Sequence, residues 1–241
     1  MPLTVLITGF GPFPGAPYNP TAALAENLAR RRRPAVADVR RIAHVFATSY
    51  AAVERELPAL IARHRPDLVL LFGLAPRTPY LRIEARAKNR RSTLFADVDG
   101  RHPALAIDPG APAALAGIAP QAPLRVAARS ARVPVRISID AGKYLCNFAY
   151  WRALRLAARD GGLVQFVHVP NVRPANMRRR TSGRKQRVTE ADLLRAGEAI
   201  LLALLVAARE RRGRGRSRLA AVRSGSDSAA TRVEKRVAPV G

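Results

Sequence analysis

The chain has 241 residues, enough for one α/β domain with a sizeable core, and its hydrophobic fraction of 48% excludes wholesale disorder. Its net charge is +25, but the arginine clusters at residues 30–33, 178–180 and 209–218 do not interleave with stacking aromatics, and no zinc-finger or RNA-recognition signature accompanies them. The charge therefore fits an arginine-coated surface and tail, and it selects no specific nucleic-acid partner.

Residues 4–8 form a β-branched apolar run stopped by Gly9, which predicts a buried strand; with no basic segment before it, the run does not read as a signal peptide. The loop at residues 9–20 is dense in glycine and proline. Thr21 is expected to cap a helix reaching about residue 32, with Pro20 just outside it. A second strand is predicted at residues 39–45, and an amphipathic helix at 50–63 that Pro58 interrupts. Residues 67–72 are a nearly continuous apolar run ending at Gly73, the pattern of a parallel strand covered on both faces. Another strand is predicted at 81–87, whereas residues 89–123 read as loop.

Strand signals return at 133–139 and 164–169, separated by a helical stretch at 142–159. Thr189 opens a last helix, with Glu190 and Asp192 in its first turn and an expected end near residue 211. The apolar stretch at 199–208 is too short to span a bilayer, so no membrane association is expected. Alternating elements predict an α/β fold, a three-layer α/β/α sandwich around a mostly parallel twisted sheet. From residue 213 the composition turns to Arg, Gly, Ser and Ala without periodicity. The expected division is a domain at 1–212 and a basic, disordered tail at 213–241.

The single cysteine, Cys146, excludes an intrachain disulfide and fits a reducing, cytoplasmic compartment. It follows a strand and a turn of small residues and opens a helix. Unpaired N–H groups and the helix dipole there favour a thiolate over a thiol of ordinary pKa, about 8.5, and can hold an oxyanion. The alternative is an inert buried cysteine. His168 ends a short apolar strand, at the edge where parallel sheets build their sites. It shares that edge with the Cys146 turn, since both follow strands of the same sense, and it can then take the thiol proton; the alternative is a satisfied core histidine. His44, His64 and His102 lie in arginine-rich or irregular stretches, and no histidine pair has metal-ligand spacing, so neither metal nor cofactor is expected. Glu84, among apolar neighbours, is either a salt-bridge partner of Arg82 or Arg86 or the group that orients an imidazole.

Three ordered segments carry a resemblance. They are Thr8-Gly9-Phe10-Gly11-Pro12-Phe13 with Asn19-Pro20-Thr21, then Ala141-Gly142-Lys143-Tyr144-Leu145-Cys146-Asn147, then Phe166-Val167-His168-Val169-Pro170. Together they resemble the pyroglutamyl peptidase I (pyrrolidone-carboxylate peptidase) family of cysteine omega-peptidases. Gly73-Leu74-Ala75 with Glu84 and Asn89 is a weaker fourth match, and the order agrees over roughly residues 3–205. The resemblance implies removal of a pyroglutamyl residue from a peptide with a blocked N-terminus, Cys146 being the nucleophile, His168 the base and Glu84 its orienting group. It also implies that Phe10 and Phe13 enclose the lactam, that Asn19 shapes the site, and that Tyr144 and Leu145 line the substrate beside the nucleophile.

Oligomers are common among such relatives, so a homo-oligomer of unspecified subunit number is an expectation. Three positions depart from the pattern: Leu74 stands where the family usually has glutamine, and Ala85 and Leu94 where it has arginine, with Arg90 and Arg91 close by. Two other readings stand beside this one. The first is a related thiol hydrolase with a different small N-terminal substrate. The second is an idle homologue that binds acidic partners through its arginines.

Overall fold

Among the described residues, eight strands and five α-helices alternate along the chain: β1 (Leu3–Phe10), α1 (Pro20–Arg30), β2 (Val39–Phe46), α2 (Tyr50–His64), β3 (Leu68–Leu74), β4 (Leu81–Glu84), β5 (Arg86–Lys88), β6 (Ala114–Ala116), α3 (Gln121–Ser130), β7 (Val135–Ser138), α4 (Leu145–Ala157), β8 (Leu163–Val169) and α5 (Glu190–Glu234). The computed structural model describes residues 2–13, 15–93, 96–100, 104–157, 161–172 and 188–234, with side chains to residue 214. The arginine cluster at 178–180, His102, Leu94 and residues 235–241 of the expected tail lie outside these.

Six strands form the main sheet in the order β2-β1-β3-β8-β4-β7. The first four are mutually parallel, β4 runs antiparallel to β8, and β7 runs parallel to β4. The expected mostly parallel sheet is present, with its far edge reversed. Helices α1, α3 and α5 cover one face, while α2 and α4 cover the other, which makes the three layers. The central strands are apolar on both sides because both sides are covered. Val5 and Ile7, Leu68, Leu70 and Phe72, and Val167 and Val169 enter the first core; Leu6, Val69, Leu71, Val164 and Phe166 enter the second.

Several local expectations are corrected. Asn19, not Thr21, caps α1 by accepting the Thr21 N–H at 3.2 Å, and Pro20 is the first helical residue, where its missing N–H is not needed. Helix α2 passes through Pro58 without a break; the carbonyl left without its N–H partner belongs to the exposed Glu54. The strand expected at 81–87 divides at Ala85, whose N–H still bonds Ser138 O (2.7 Å) while its carbonyl accepts from Gly117 N–H (2.8 Å). The chain there leaves the main sheet for the small β5–β6 pair. Helix α3 has no counterpart in the sequence reading, since it starts behind Pro120 with no side-chain cap. Helix α5 opens as expected, with Thr189 Oγ1 accepting Asp192 N–H (3.2 Å) and Asp192 Oδ2 accepting Thr189 N–H (2.8 Å). It continues to Glu234, beyond the end expected near residue 211. Among the described residues no helix is long and apolar enough to cross a membrane.

The first turn of α1 is seated directly on the end of β1. A Cβ on Gly9 would stand 2.2 Å from Thr21 O and 2.6 Å from Thr21 C, both backbone atoms that cannot rotate away. Gly9→Ala is therefore expected to destabilise the fold by about 1–3 kcal/mol. The midpoint of urea unfolding measures this, and an unchanged midpoint would show that α1 is not seated there.

Candidate active site

The site is built on the C-terminal end of β8. There His168, 5% exposed, joins its Nδ1 to Oε1 of Glu84 at 2.7 Å, and Glu84 is fully buried. The reversed direction of β4 makes this contact. Its antiparallel register places Arg82 beside His168 and Glu84 beside Phe166, so Arg82 and Glu84 share the face that carries His168. Arg82 also bonds Oε1 of Glu84, from Nε at 2.9 Å and Nη2 at 2.8 Å. Glu84 thus contacts both Arg82 and an imidazole, and Arg86 is not a partner: it donates to Ile139 O instead. Oε2 of Glu84 is buried without a partner, so the carboxylate is held by one oxygen.

Cys146 is the second residue of α4. Its sulfur lies over the β3 backbone, 2.7 Å from where a Gly73 Cβ would be, and Gly73 is paired in register with His168. The thiol therefore lies over β3, the strand next to the one that carries the imidazole, on the same face. The expectation that both follow strands of the same sense is corrected, because β7 runs opposite to β8. The chain instead returns from the far edge across the α4 face through residues 139–144. Arg82 donates to Asp140 O, Lys88 pairs with the Asp140 carboxylate at 2.7 Å, and Tyr144 hydroxyl donates to Ala96 O at 3.0 Å. No hydrogen bond joins sulfur to imidazole among the described residues, a looseness common before substrate is bound.

The electrostatics overturn the expected resting thiolate. Burial, reinforced by the negative charge of Glu84, pushes the Cys146 thiol up to about 12, against the weaker pull of Arg82 and of the residue's own N–H. Although the residue keeps some exposure, the protein desolvates its sulfur. Burial also lowers the His168 pKa below its ordinary value; Glu84 opposes this and Arg82 adds to it. The resting pair is a thiol and a neutral imidazole. A proton on Nδ1, directed at Glu84, leaves Nε2 as the acceptor.

The other expected residues fall into two groups. Phe10 is buried and packs on Phe46 at a centroid separation of 5.8 Å, in the core that also meets Cys146. Leu145 is buried in that core, and Tyr144 meets Tyr50 edge-on at 5.9 Å. Asn19 is spent on the loop: besides capping α1, it donates to Gly11 O at 3.0 Å, which fixes the segment carrying the half-buried Phe13. Leu74 is buried at the end of β3. Arg91 is committed to Ala104 O and Ala106 O and lies 5.5 Å from the Phe148 ring centroid; Arg90 is exposed.

Sequence reasoning missed Asn147 and saw Arg82 only as a salt-bridge partner of Glu84. Asn147 is fully buried, accepts Lys88 N–H (2.8 Å) and donates to Lys88 O (2.8 Å) and Arg90 O (2.9 Å), pinning the chain beyond Glu84 to the helix that carries Cys146. An amide directly after the candidate nucleophile was the available signal. Among the described residues, no group of His, Cys, Asp and Glu could hold a metal ion.

A buried carboxylate–imidazole pair beside a thiol at a helix start, on a three-layer sandwich, defines the class: an α/β thiol peptidase. The pyroglutamyl peptidase family model matches residues 3–203, so the chain belongs to the pyroglutamyl peptidase family of cysteine peptidases. It is 30% identical over 176 residues to the pyrrolidone-carboxylate peptidase of Pyrococcus furiosus, covering 70% of this chain and 82% of that one. It is 33% identical over 171 residues to that of Thermococcus kodakarensis, covering 70% and 81%. Among solved structures, pyrrolidone carboxyl peptidase from Thermococcus litoralis superposes with a TM-score of 0.75 at 27% identity, covering 87% of this chain and 96% of that one.

The resting thiol sets a checkable behaviour. Alkylation of Cys146 by iodoacetamide is expected to rise with pH through pH 9 without levelling, since the thiolate fraction keeps growing. Glu84→Gln removes a charge that raises the thiol pKa and is expected to speed alkylation at pH 8 several-fold. A plateau below pH 8 in the wild type would refute a protonated resting sulfur.

Proposed function

We propose that the chain hydrolyses the amide bond after an N-terminal pyroglutamyl residue of a peptide, with Cys146 as nucleophile, His168 as general base and Glu84 as its orienting group. The observation that carries this reading is the buried 2.7 Å bond from His168 Nδ1 to Glu84, on the strand next to the backbone over which the Cys146 sulfur lies. The sulfur attacks the pyroglutamyl carbonyl carbon while its proton passes to Nε2 of His168. The oxyanion is received by N–H groups at the start of α4, three of which have no partner within the helix. His168 then gives the proton to the leaving amine, the C–N bond breaks, and a thioester remains. Water, deprotonated by His168, cleaves the thioester and restores the thiol.

Aromatic and apolar surroundings suit an uncharged lactam. Tyr50, Phe148, Phe10 and Phe166 are all buried in the core that meets the cysteine, which supports this reading. Leu74 offers the ring no polar atom, and it favours a second reading: a thiol hydrolase for another small N-terminal acyl group. A Leu74→Gln variant that gains pyroglutamyl activity would support that alternative.

A pyroglutamyl aminomethylcoumarin amide tests the first reading. The wild type is expected to exceed Cys146→Ser by about 10³-fold or more in kcat/KM; parity between them would reject this substrate. Activity needs neutral His168, so it is lost as pH falls through a pKa below 6.5. Arg82→Met removes a lowering charge and is expected to move the acid limb to higher pH. Glu84→Gln removes a raising charge and moves it to lower pH, with a plateau about 10²-fold lower or less. Limbs that stay put in both variants would detach these side chains from the base.

A further inference from the structure

A cavity lies at the same end of the sheet, against its edge strand β7, and has no part in the chemistry above. Its volume is about 400 Å³, and Tyr80, Val135 and four arginines line it: Arg125, Arg129, Arg132 and Arg136. Arg125 and Arg129 are one turn apart on α3. Arg132 follows the helix in a left-handed conformation (φ 60°), with its N–H bonded to Arg129 O at 2.9 Å. The Arg136 guanidinium lies 4.3 Å from the Tyr80 ring centroid.

Some other arginines find carboxylates, as Arg31 and Arg33 share Glu198, Arg82 takes Glu84 and Arg209 takes Asp38, while Arg41, Arg86 and Arg91 are held by backbone carbonyls. Among the described residues none of the four pocket arginines makes an ion pair. Four cations around one concavity repel each other and raise a positive potential there, which a bound anion relieves.

Its position relative to the thiol selects the anion. The strand registers set Gly73, His168, Arg82 and Arg136 side by side across β3, β8, β4 and β7. Val135 packs toward the α3 side, so Arg136 starts from the side that carries His168, while Arg125 and Arg129 reach the cavity from the α3 side at the edge strand β7. Three strand spacings of about 4.8 Å put Arg136 about 14 Å from the backbone under the sulfur, and an extended peptide covers that in about four residues.

We propose that this pocket is an anion subsite for the carboxylate side chains of a peptide substrate, about three to five residues beyond the scissile bond. It makes the enzyme selective for acidic peptides. The inference rests on the pyroglutamyl reading above and deepens it.

The test compares kcat/KM for two pyroglutamyl peptides that differ only at the third to fifth residues after the scissile bond, all aspartate in one and all asparagine in the other. The aspartate peptide is expected to be favoured roughly 5- to 20-fold at low salt, with the ratio falling as salt rises. Arg129→Gln/Arg132→Gln/Arg136→Gln is expected to abolish the preference while cleaving the short coumarin amide at the wild-type rate. Arg40→Gln/Arg63→Gln, which removes two charges near the start of β2 and the end of α2, is expected to keep it. Equal rates for both peptides in the wild type overturn the subsite, as does a preference lost equally in the Arg40/Arg63 variant, and in either case cleavage of the short amide leaves the proposed function standing. A wild type inactive on every pyroglutamyl substrate removes that function and this inference with it.

Discussion

The arrangement depends on seating a carboxylate where no water reaches it. Glu84 is fully buried, and an unpaired charge in such a place would be neutralised or would cost several kcal/mol. Arg82 supplies the compensating cation and His168 the hydrogen bond, both on one oxygen. The pair at positions 82 and 84 works because strand side chains repeat every two residues, so cation and anion face the same side. The backbone at Glu84 is anchored with equal care. Its carbonyl accepts Tyr150 hydroxyl from one face (3.0 Å) and Gln165 Nε2 from the other (3.0 Å), and Gln165 is itself met by Gln121 at 3.2 Å. The strand break at Ala85 is thus stabilised from both layers, and it fixes where the carboxylate ends up.

That constraint also explains the state of the thiol. Helix start and N–H groups favour a thiolate, but they act on a sulfur that burial has stripped of water and that feels the charge of Glu84. Desolvation is the larger effect, and the resting site is neutral at both reacting groups. In the proposed reaction a neutral pair would transfer its proton only as the carbonyl carbon is attacked, with the imidazole acting as a base in the step and not as a counter-ion formed in advance. It also keeps the sulfur poorly nucleophilic toward oxidants between turnovers.

The central strands were legible in the sequence because burial on both faces leaves continuous apolar runs, as in Leu68 to Leu74. Cys146, His168 and Glu84 were legible as an ordered set matching a family, and the structure brings the three together on one face. Strand direction was not legible. A short run such as Leu81 to Glu84 reads the same parallel or antiparallel, and only the partner register settles it. Helix α3 escaped because its start carries proline instead of a capping side chain and it buries only Leu124 and Ala128. The thiol's protonation was misjudged because local helix geometry is written in the sequence, whereas desolvation depends on packing from distant elements.

The departures from the family pattern can be weighed in the same terms. Ala85 lacks the arginine that the resemblance places after the glutamate, yet the site is not short of a cation, since Arg82 stands two residues before Glu84 and on its face. A residue at position 85 would by alternation start from the opposite face and would have to reach around the strand. The cation at 82 approaches from the side of the imidazole instead, crowds Oε1 and leaves Oε2 without a partner. Its guanidinium reaches Asp140 O as well, so one side chain ties the carboxylate to the segment that delivers the cysteine. The charge at position 82 therefore balances Glu84, lowers the basicity of His168, and couples the Cys146 turn to both.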